Sequence, residues 1–493
     1  MLADLNFFVI LPEINLVLFA CAILLLAVFK PAALRLAFYL ALASLLISSG
    51  LLAEQLIHNN LINPIEAFHA AFVQDRLSVV LKIFMLVTVL VTMVYARLYN
   101  EFRKIAAHEF YVLGLLATAG MLSLVSAHNL LVLFLGVELL SLPTYAMVAM
   151  RHKDAICTEA AMKYFIIGAL ASGLLLYGFS MLYGATGLID ISAIANYFSS
   201  DFSAALNNKL AIFGLVFALS GVAFKLGAAP FHMWVPDVYE GAPSSVTLFI
   251  AAAPKLASFG MMMRLLVGAL PSLSPAWSQM LIIVALLSMA IGNFSAIVQS
   301  SIKRMLAYSS IAHMGYMLLG MVCATPRGYA ASLFYVITYS LMTLAAFGIV
   351  ILMNRGGLEI NQLEDFRGLN NRHPWLAFMM LVVMFSLAGV PPLVGFIAKI
   401  GLLEALIDVH LVWVAVLAIL FAIIGAYYYL NIVKLMYFER AEGVYADDHI
   451  RLSTSNLVLI SINAVLIVGL GIFPSGLFTL CHYVFAMPWL QGV

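Results

Sequence analysis

The sequence predicts an all-α polytopic membrane protein of about 14 transmembrane helices, built as two inverted five-helix repeats with discontinuous helices near 225–232 and 389–399. Three observations predict it. Of 493 residues, 65% are hydrophobic and only 10% charged, less than half the roughly 25% charge of a soluble domain. Apolar stretches that match the ~20 residues of a bilayer core are centred near residues 18, 45, 87, 117, 139, 171, 218, 254, 288, 313, 341, 390, 424 and 465. Within several of them proline or glycine adjoins an ionisable residue, as in transporter helices that open at the midplane.

In chain order, the amino terminus lacks the basic region and small-residue cleavage site of a signal peptide, so it is expected to remain as the first span. Residues 1–108 hold spans 1–3, 109–265 a first repeat of spans 4–8, 277–438 a second repeat of spans 9–13, and 453–493 span 14 with the tail. The two broken spans lie five spans apart, an odd number, which inverts the second repeat. Sequence identity between the halves is slight, so this division rests on helix count.

A net charge of +1 offers no basic patch for nucleic acid. Cys21, Cys157, Cys323 and Cys481 have no paired spacing and are read as packing residues. Lysines and arginines number 15 on the odd-numbered loops and their flanks, from Lys30 to Arg451, against four on the even side: Arg76, Lys209, Arg264 and Arg327. That asymmetry puts both termini outside, with the 354–373 and 439–452 loops cytoplasmic. No extramembrane segment is large enough for a nucleotide, flavin or iron-sulfur domain, so any chemistry lies within the bilayer.

Removing those 19 from the 24 basic residues leaves five lysines inside apolar spans: Lys82, Lys163, Lys225, Lys255 and Lys399. A lysine at the bilayer centre costs about 2.5–3.5 kcal/mol on insertion scales. Burial and a nearby carboxylate shift its proton affinity in opposite directions, which suits a proton relay. Lys82, six residues after Arg76, is expected to snorkel to the outer interface. Lys163 has Glu159 as an i,i+4 partner and Glu138 as a second one. Glu138 reads as the only carboxylate in the middle of an apolar span, where it must be paired, protonated or facing water.

Prolines accompany these charges. A proline strips the carbonyl four residues earlier of its helical donor, and lipid supplies no replacement. Pro143 frees Leu139 beside Glu138, Pro230 frees Leu226 beside Lys225, and Pro254 frees Ile250 and adjoins Lys255. In SLAGVPPLVGFIAK, Gly389, Pro391 and Pro392 break the span that carries Lys399.

Three strings, LGVELLSLPTYAM, FKLGAAPFHMWVPDVYEGAPSSVTLFIAAAPKLASFG and QSSIKRMLAYSSIAHMGYMLLG, make the chain resemble the antiporter-like membrane subunits of proton-translocating NADH:quinone oxidoreductase, complex I, over nearly its whole length. Lys399, FRGL at 366–369, GAYYYL at 425–430 and the lack of a long lateral helix make it similar to the N type. The resemblance implies that Glu138 tunes Lys225, that Lys163 competes for Glu138, and that Lys255 links two half-channels with His313 and waters as bridges. It also implies that Lys399 releases protons outward and that His232 gates or hydrogen-bonds the first break. Tyr308, Tyr427, Tyr428 and Tyr429 are expected mainly to pack.

By the same resemblance this chain has no cofactor, with NADH, FMN, iron-sulfur clusters and quinone in partner subunits. The implied partners are the M-type, K-type and J-type chains and the lateral helix of the L-type chain, in a bacterial inner membrane with periplasmic termini. Two alternatives remain open from sequence: a subunit of an Mrp-type cation/proton antiporter, and a membrane-arm scaffold that conducts nothing.

Overall fold

The computed structural model describes residues 6–59, 64–200, 202–354, 360–440 and 454–486. Arg355, Arg451, most of the 439–452 loop, part of the 354–373 loop and the end of the last predicted unit lie outside the described residues.

Among the described residues twenty α-helices follow one another. They are α1 (Phe7–Phe29), α2 (Leu34–Asn59), α3 (Arg76–Arg103), α4 (Ala107–Val125), α5 (Leu130–Val148), α6 (Ala155–Thr186), α7 (Ile191–Ser199), α8 (Phe202–Asn207), α9 (Lys209–Leu226) and α10 (Trp234–Gly241). Then come α11 (Ser244–Met262), α12 (Ser274–Ile297), α13 (Ile302–Val322), α14 (Pro326–Met353), α15 (Leu369–Arg372), α16 (Pro374–Ala388), α17 (Val394–Asp408), α18 (Val412–Phe438), α19 (Thr454–Ile472) and α20 (Ser475–Phe485). Before α3, β1 (Ile65–Ala67) and β2 (Phe72–Gln74) form a small antiparallel hairpin with Ile65 opposite Gln74.

Among the described residues, 13 helices are long and apolar enough to cross a membrane. The predicted span near 390 is not one of them, because it is split into α16 and α17, each of 15 residues. With that pair counted as one crossing, every predicted centre falls on a helix or on the break itself.

Helix starts follow local chemistry. Asp75, Asn129, Asp154, Asp190, Asn208, Ser301 and Thr325 each cap a helix by accepting a backbone N–H through the side chain, the role short polar residues play where orphan donors need partners. The breaks are built alike. After α9, Gly227 adopts φ 71°, and after α16, Gly389 adopts φ 88°, a left-handed C-cap that glycine takes without steric cost. Pro230 follows the first glycine, and Pro391 and Pro392 the second; proline cannot continue a helix, and the Ala229–Pro230 and Pro391–Pro392 bonds are cis. Pro143 and Pro254 behave otherwise: α5 and α11 run through them without interruption, so two of the four expected openings are continuous helices held by their neighbours.

The core sits on α11, α13 and α14. The apolar length of α11 is wholly buried and that of α13 and α14 94% buried, against 33% for α1, α18 and α19. Lys255 on α11 and His313 on α13 are therefore surrounded by protein, whereas Arg304 and Arg327, near the helix ends, reach the surface.

Candidate functional site

Lys225 lies in the last turn of α9. Its Nζ donates to Ser141 Oγ at 2.7 Å and to the Tyr145 hydroxyl at 3.4 Å, both on α5. Ser141 in turn donates to the Val137 carbonyl at 2.5 Å. Glu138 stands one turn before Ser141 on the same helix, and its Oε1 is enclosed without a hydrogen-bond partner. The expected Glu138–Lys225 pair is therefore not a direct contact in this state, because a serine hydroxyl holds the ammonium.

Lys255, 1% exposed on α11, donates from Nζ to the Leu226 carbonyl at 2.7 Å and lies 5.4 Å from the centroid of a Trp234 ring. Leu226 is the carbonyl that Pro230 deprives of its donor. A cavity of about 20 Å³, accessible to the centre of a water molecule, separates the two lysines and is lined by Ser141, Thr144, Lys225, Trp234 and Lys255 among others. That volume holds one water.

The second break repeats the arrangement. Lys399 on α17 donates to the Ala388 carbonyl at 2.8 Å and the Leu387 carbonyl at 3.2 Å, four residues before Pro392 and Pro391. Gly389 is confined here, since a Cβ on it would stand 3.0 Å from Lys399 Nζ. The ammonium also lies 5.2 Å from the Tyr316 ring centroid.

His313, 3% exposed on α13, sits between aromatic hydroxyls. Its Nδ1 is 2.7 Å from the Tyr335 hydroxyl and its Nε2 3.0 Å from that of Tyr429; Tyr429 also hydrogen-bonds Ser309. Tyr428 donates to Asn293 at 3.2 Å. Tyr428 and Tyr429 are thus polar members of the interior as well as packing residues. Tyr427 is 60% exposed, and partly buried Tyr308 packs against the core. His232 falls in the turn between α9 and α10, with a buried Nδ1 that has no partner.

Lys163 is paired with carboxylates other than Glu138. Its Nζ meets Glu159 and Asp237, each at 2.8 Å, and Arg304 meets Asp237 at 2.8 Å and Glu240 at 3.0 Å. Two carboxylates of the short helix α10 are thus clasped from α6 and α13, an exposed network that fixes the far end of the first broken helix.

Two expectations are corrected. Lys82 does not snorkel: it is 0% exposed and its Nζ lies 2.6 Å from Glu13 Oε1 on α1. Glu138 is consequently not alone as a mid-span carboxylate, since Glu13 precedes INLVLF within an apolar helix. Arg264, counted with the even-side loops and their flanks, belongs to a helix end. It is 2% exposed on a π-helical extension of α11 (Met263–Ala269) and pairs bidentately with Asp75 at 2.7 and 2.9 Å.

Among the described residues no group of three or more histidines, cysteines or carboxylates is arranged for a metal ion, and the four cysteines are free thiols. Ser141, Tyr335, Tyr429, Glu13 and Asp237 are the polar residues that sequence reading passed over or took as packing. Ser141 carried a signal, one turn from Glu138. Tyr335 had none, since a tyrosine in an apolar span looks like any core aromatic.

A family model described as "NADH:quinone oxidoreductase/Mrp antiporter, TM" matches residues 127–425, the stretch that contains every group above from Glu138 to Lys399. The chain is 56% identical over 480 residues to the NADH-quinone oxidoreductase subunit N of Coxiella burnetii (strain RSA 493 / Nine Mile phase I), covering 97% of this chain and 99% of that one. It is 48% identical over 468 residues to that of Nitrosomonas europaea (strain ATCC 19718 / CIP 103999 / KCTC 2705 / NBRC 14298), covering 94% of each. A chain of respiratory complex I from Thermus thermophilus with bound aureothin is similar in structure, with TM-score 0.80 at 31% identity over 95% of this chain and 99% of that one. A chain of the Mrp complex from Dietzia sp. DQ12-45-1b shares the fold, with TM-score 0.84 at 20% identity over 97% and 98%. Taken with the buried lysines at two broken helices, these matches establish that the chain belongs to the NADH-quinone oxidoreductase subunit N family of antiporter-like membrane proteins.

Proposed function

We propose that this chain, a proton-translocating membrane-arm subunit of NADH:quinone oxidoreductase, carries protons along Lys225, Lys255, His313 and Lys399. Glu138 biases the first lysine through space, His232 stands at the first break, and Lys163 with Asp237 anchors the break where protons enter. The observation that carries this reading is the choice of partners. Lys225, Lys255 and Lys399 sit on neutral hydroxyls and carbonyls, so each can release a proton without stranding a carboxylate bonded to it. Lys82, Lys163, Arg264 and Arg304 are matched to carboxylates and are read as fixed charges. The two breaks support the division into units 109–265 and 277–438, the second inverted.

The wider reading places this multi-pass protein in a bacterial inner membrane, with periplasmic termini on the positive-inside count. Partner subunits hold NADH, FMN, iron-sulfur clusters and quinone, and this chain supplies no redox centre. Exposed apolar residues on α18 such as Trp413, Ile423 and Tyr427 suit lipid or neighbouring M-type, K-type and J-type chains, with the lateral helix of the L-type chain across them.

The test is proton pumping in membrane vesicles carrying Glu138→Gln or Lys225→Ala, beside NADH:quinone electron transfer and an assembly check. Pumping and coupled turnover fall together if these residues lie on the path. Wild-type rates in both variants sink the reading and leave the charges as scaffold.

A further inference from the structure

His313 is the one histidine among the described residues whose two ring nitrogens are each given a tyrosine hydroxyl, Tyr335 from α14 and Tyr429 from α18. The chain of contacts continues from Tyr429 to Ser309, one helical turn before His313 on α13. All four residues are buried to 3% exposure or less. Packing alone would be served by phenylalanine, whereas a buried hydroxyl must be paired or costs free energy. Each of these hydroxyls is aimed at a group that both gives and takes a proton. Lys399, by contrast, approaches this region over the face of Tyr316, whose ring centroid is 6.3 Å from that of His313. An aromatic face transmits no proton, so the hydrogen bonds His313 makes run through the hydroxyls.

We propose that Tyr335, Tyr429 and Ser309 are working members of the proton path, forming with His313 one hydrogen-bonded chain across the centre of the bundle. The proposal rests on the pumping function inferred above.

The step balances without any charged residue at rest. Take His313 protonated on Nε2: Tyr335 donates to Nδ1, Nε2 donates to Tyr429, and Tyr429 donates to Ser309. A proton arriving on the Tyr335 oxygen releases that residue's own hydroxyl proton to Nδ1. The Nε2–H bond breaks and its proton passes to the Tyr429 oxygen, whose hydroxyl proton passes to Ser309 Oγ, which gives up its own to water. One proton enters, one leaves, and every group ends neutral. The hydrogen bonds are then all reversed, so a second proton in the same direction waits until the chain has turned over.

The test uses the whole complex in membrane vesicles, with Tyr335→Phe and Tyr429→Phe beside Lys225→Ala. Electron transfer from NADH to a soluble acceptor reports assembly. Each phenylalanine variant is expected to lower the pumping rate about tenfold, the scale of one lost hydrogen bond, and to raise the solvent deuterium isotope effect on pumping. Wild-type pumping with an unchanged isotope effect in both overturns the proposal. If Lys225→Ala stops pumping in that case, only the tyrosine chain falls; if it too pumps normally, the parent reading falls. Should a phenylalanine variant fail to assemble, 2,3-difluorotyrosine at position 429 keeps the ring and hydroxyl while making the hydroxyl more acidic. It is expected to change the pumping rate and its solvent deuterium isotope effect relative to tyrosine, and an unchanged rate and isotope effect overturn the proposal.

Discussion

Lys255 Nζ donates at 2.7 Å to the carbonyl of Leu226, the acceptor that Pro230 leaves without a helical donor. Lys399 stands in the same relation to Leu387 and Ala388. In both places a helix is broken by proline, and the freed carbonyls are satisfied by an ammonium in place of water. Backbone openings at membrane depth survive only where protein or a water-filled cavity completes them. The lysine thus closes the break structurally while remaining free of a bonded counter-charge.

Lys255→Met separates those two roles. Leaving the Leu226 carbonyl unpaired costs about 1–3 kcal/mol, but the variant also removes a buried ammonium whose desolvation costs several kcal/mol. The terms oppose, so thermal inactivation of the assembled complex is expected to stay within about 2 kcal/mol of wild type. Proton pumping in vesicles is expected to be lost. A variant that pumps normally removes Lys255 from the path.

Ser141→Ala tests what holds Lys225. With the hydroxyl gone, Nζ keeps only the Tyr145 hydroxyl at 3.4 Å, a weak contact. Pumping is expected to fall about tenfold, the scale of one hydrogen bond, while assembly persists, because alanine fits wherever serine does. If Lys225 instead works by direct pairing with Glu138, Ser141→Ala pumps at the wild-type rate and Glu138→Gln alone abolishes pumping.

His128, in the turn between α4 and α5, has a buried Nε2 without a partner. Burial first, and then the Arg264 guanidinium, hold its proton affinity below the ordinary histidine value. The neutral ring is favoured in the folded chain, so its contribution to stability is complete above the unfolded value of about 6.5. As pH falls through that value the unfolded chain takes up a proton that the folded one refuses, and the contribution is lost. His128→Gln is expected to flatten this dependence: between pH 7.5 and 5.5, about one unit either side of the unfolded value, its inactivation temperature falls less than that of the wild type. Parallel falls would show that His128 carries none of the acid sensitivity.

The helix count and both breaks were legible because their causes are local. A bilayer sets the length of each apolar run, and glycine followed by proline ends a helix wherever it stands. Lys255 and Lys399 were legible because a lysine within an apolar run needs a partner. What was not legible was the identity of those partners. Ser141 in place of Glu138, Asp237 in place of Glu138 for Lys163, and Tyr335 for His313 depend on how helices distant in sequence pack and rotate. Lys82 failed for the same reason: its nearness to Arg76 suggested the interface, but α1 supplies Glu13 at depth. Pro143 and Pro254 show the converse, a local signal overridden by neighbouring helices.

The Lys82–Glu13 contact, 2.6 Å between fully buried groups, lies outside the residues 127–425 matched by the family model and joins α3 to α1. Breaking a buried pair by removing one partner strands the other charge and typically costs about 3–5 kcal/mol, whereas replacing both by apolar groups of similar volume is often neutral. Lys82→Met alone and Glu13→Leu alone are therefore each expected to impair assembly, seen as loss of the chain from the purified complex. The double variant Glu13→Leu/Lys82→Met is expected to restore assembly with pumping near the wild-type rate, since no step of the proposed path passes through it. Restored assembly without restored pumping would overturn that division, because it would make this pair a third working charge site and extend the proton path beyond the two broken helices.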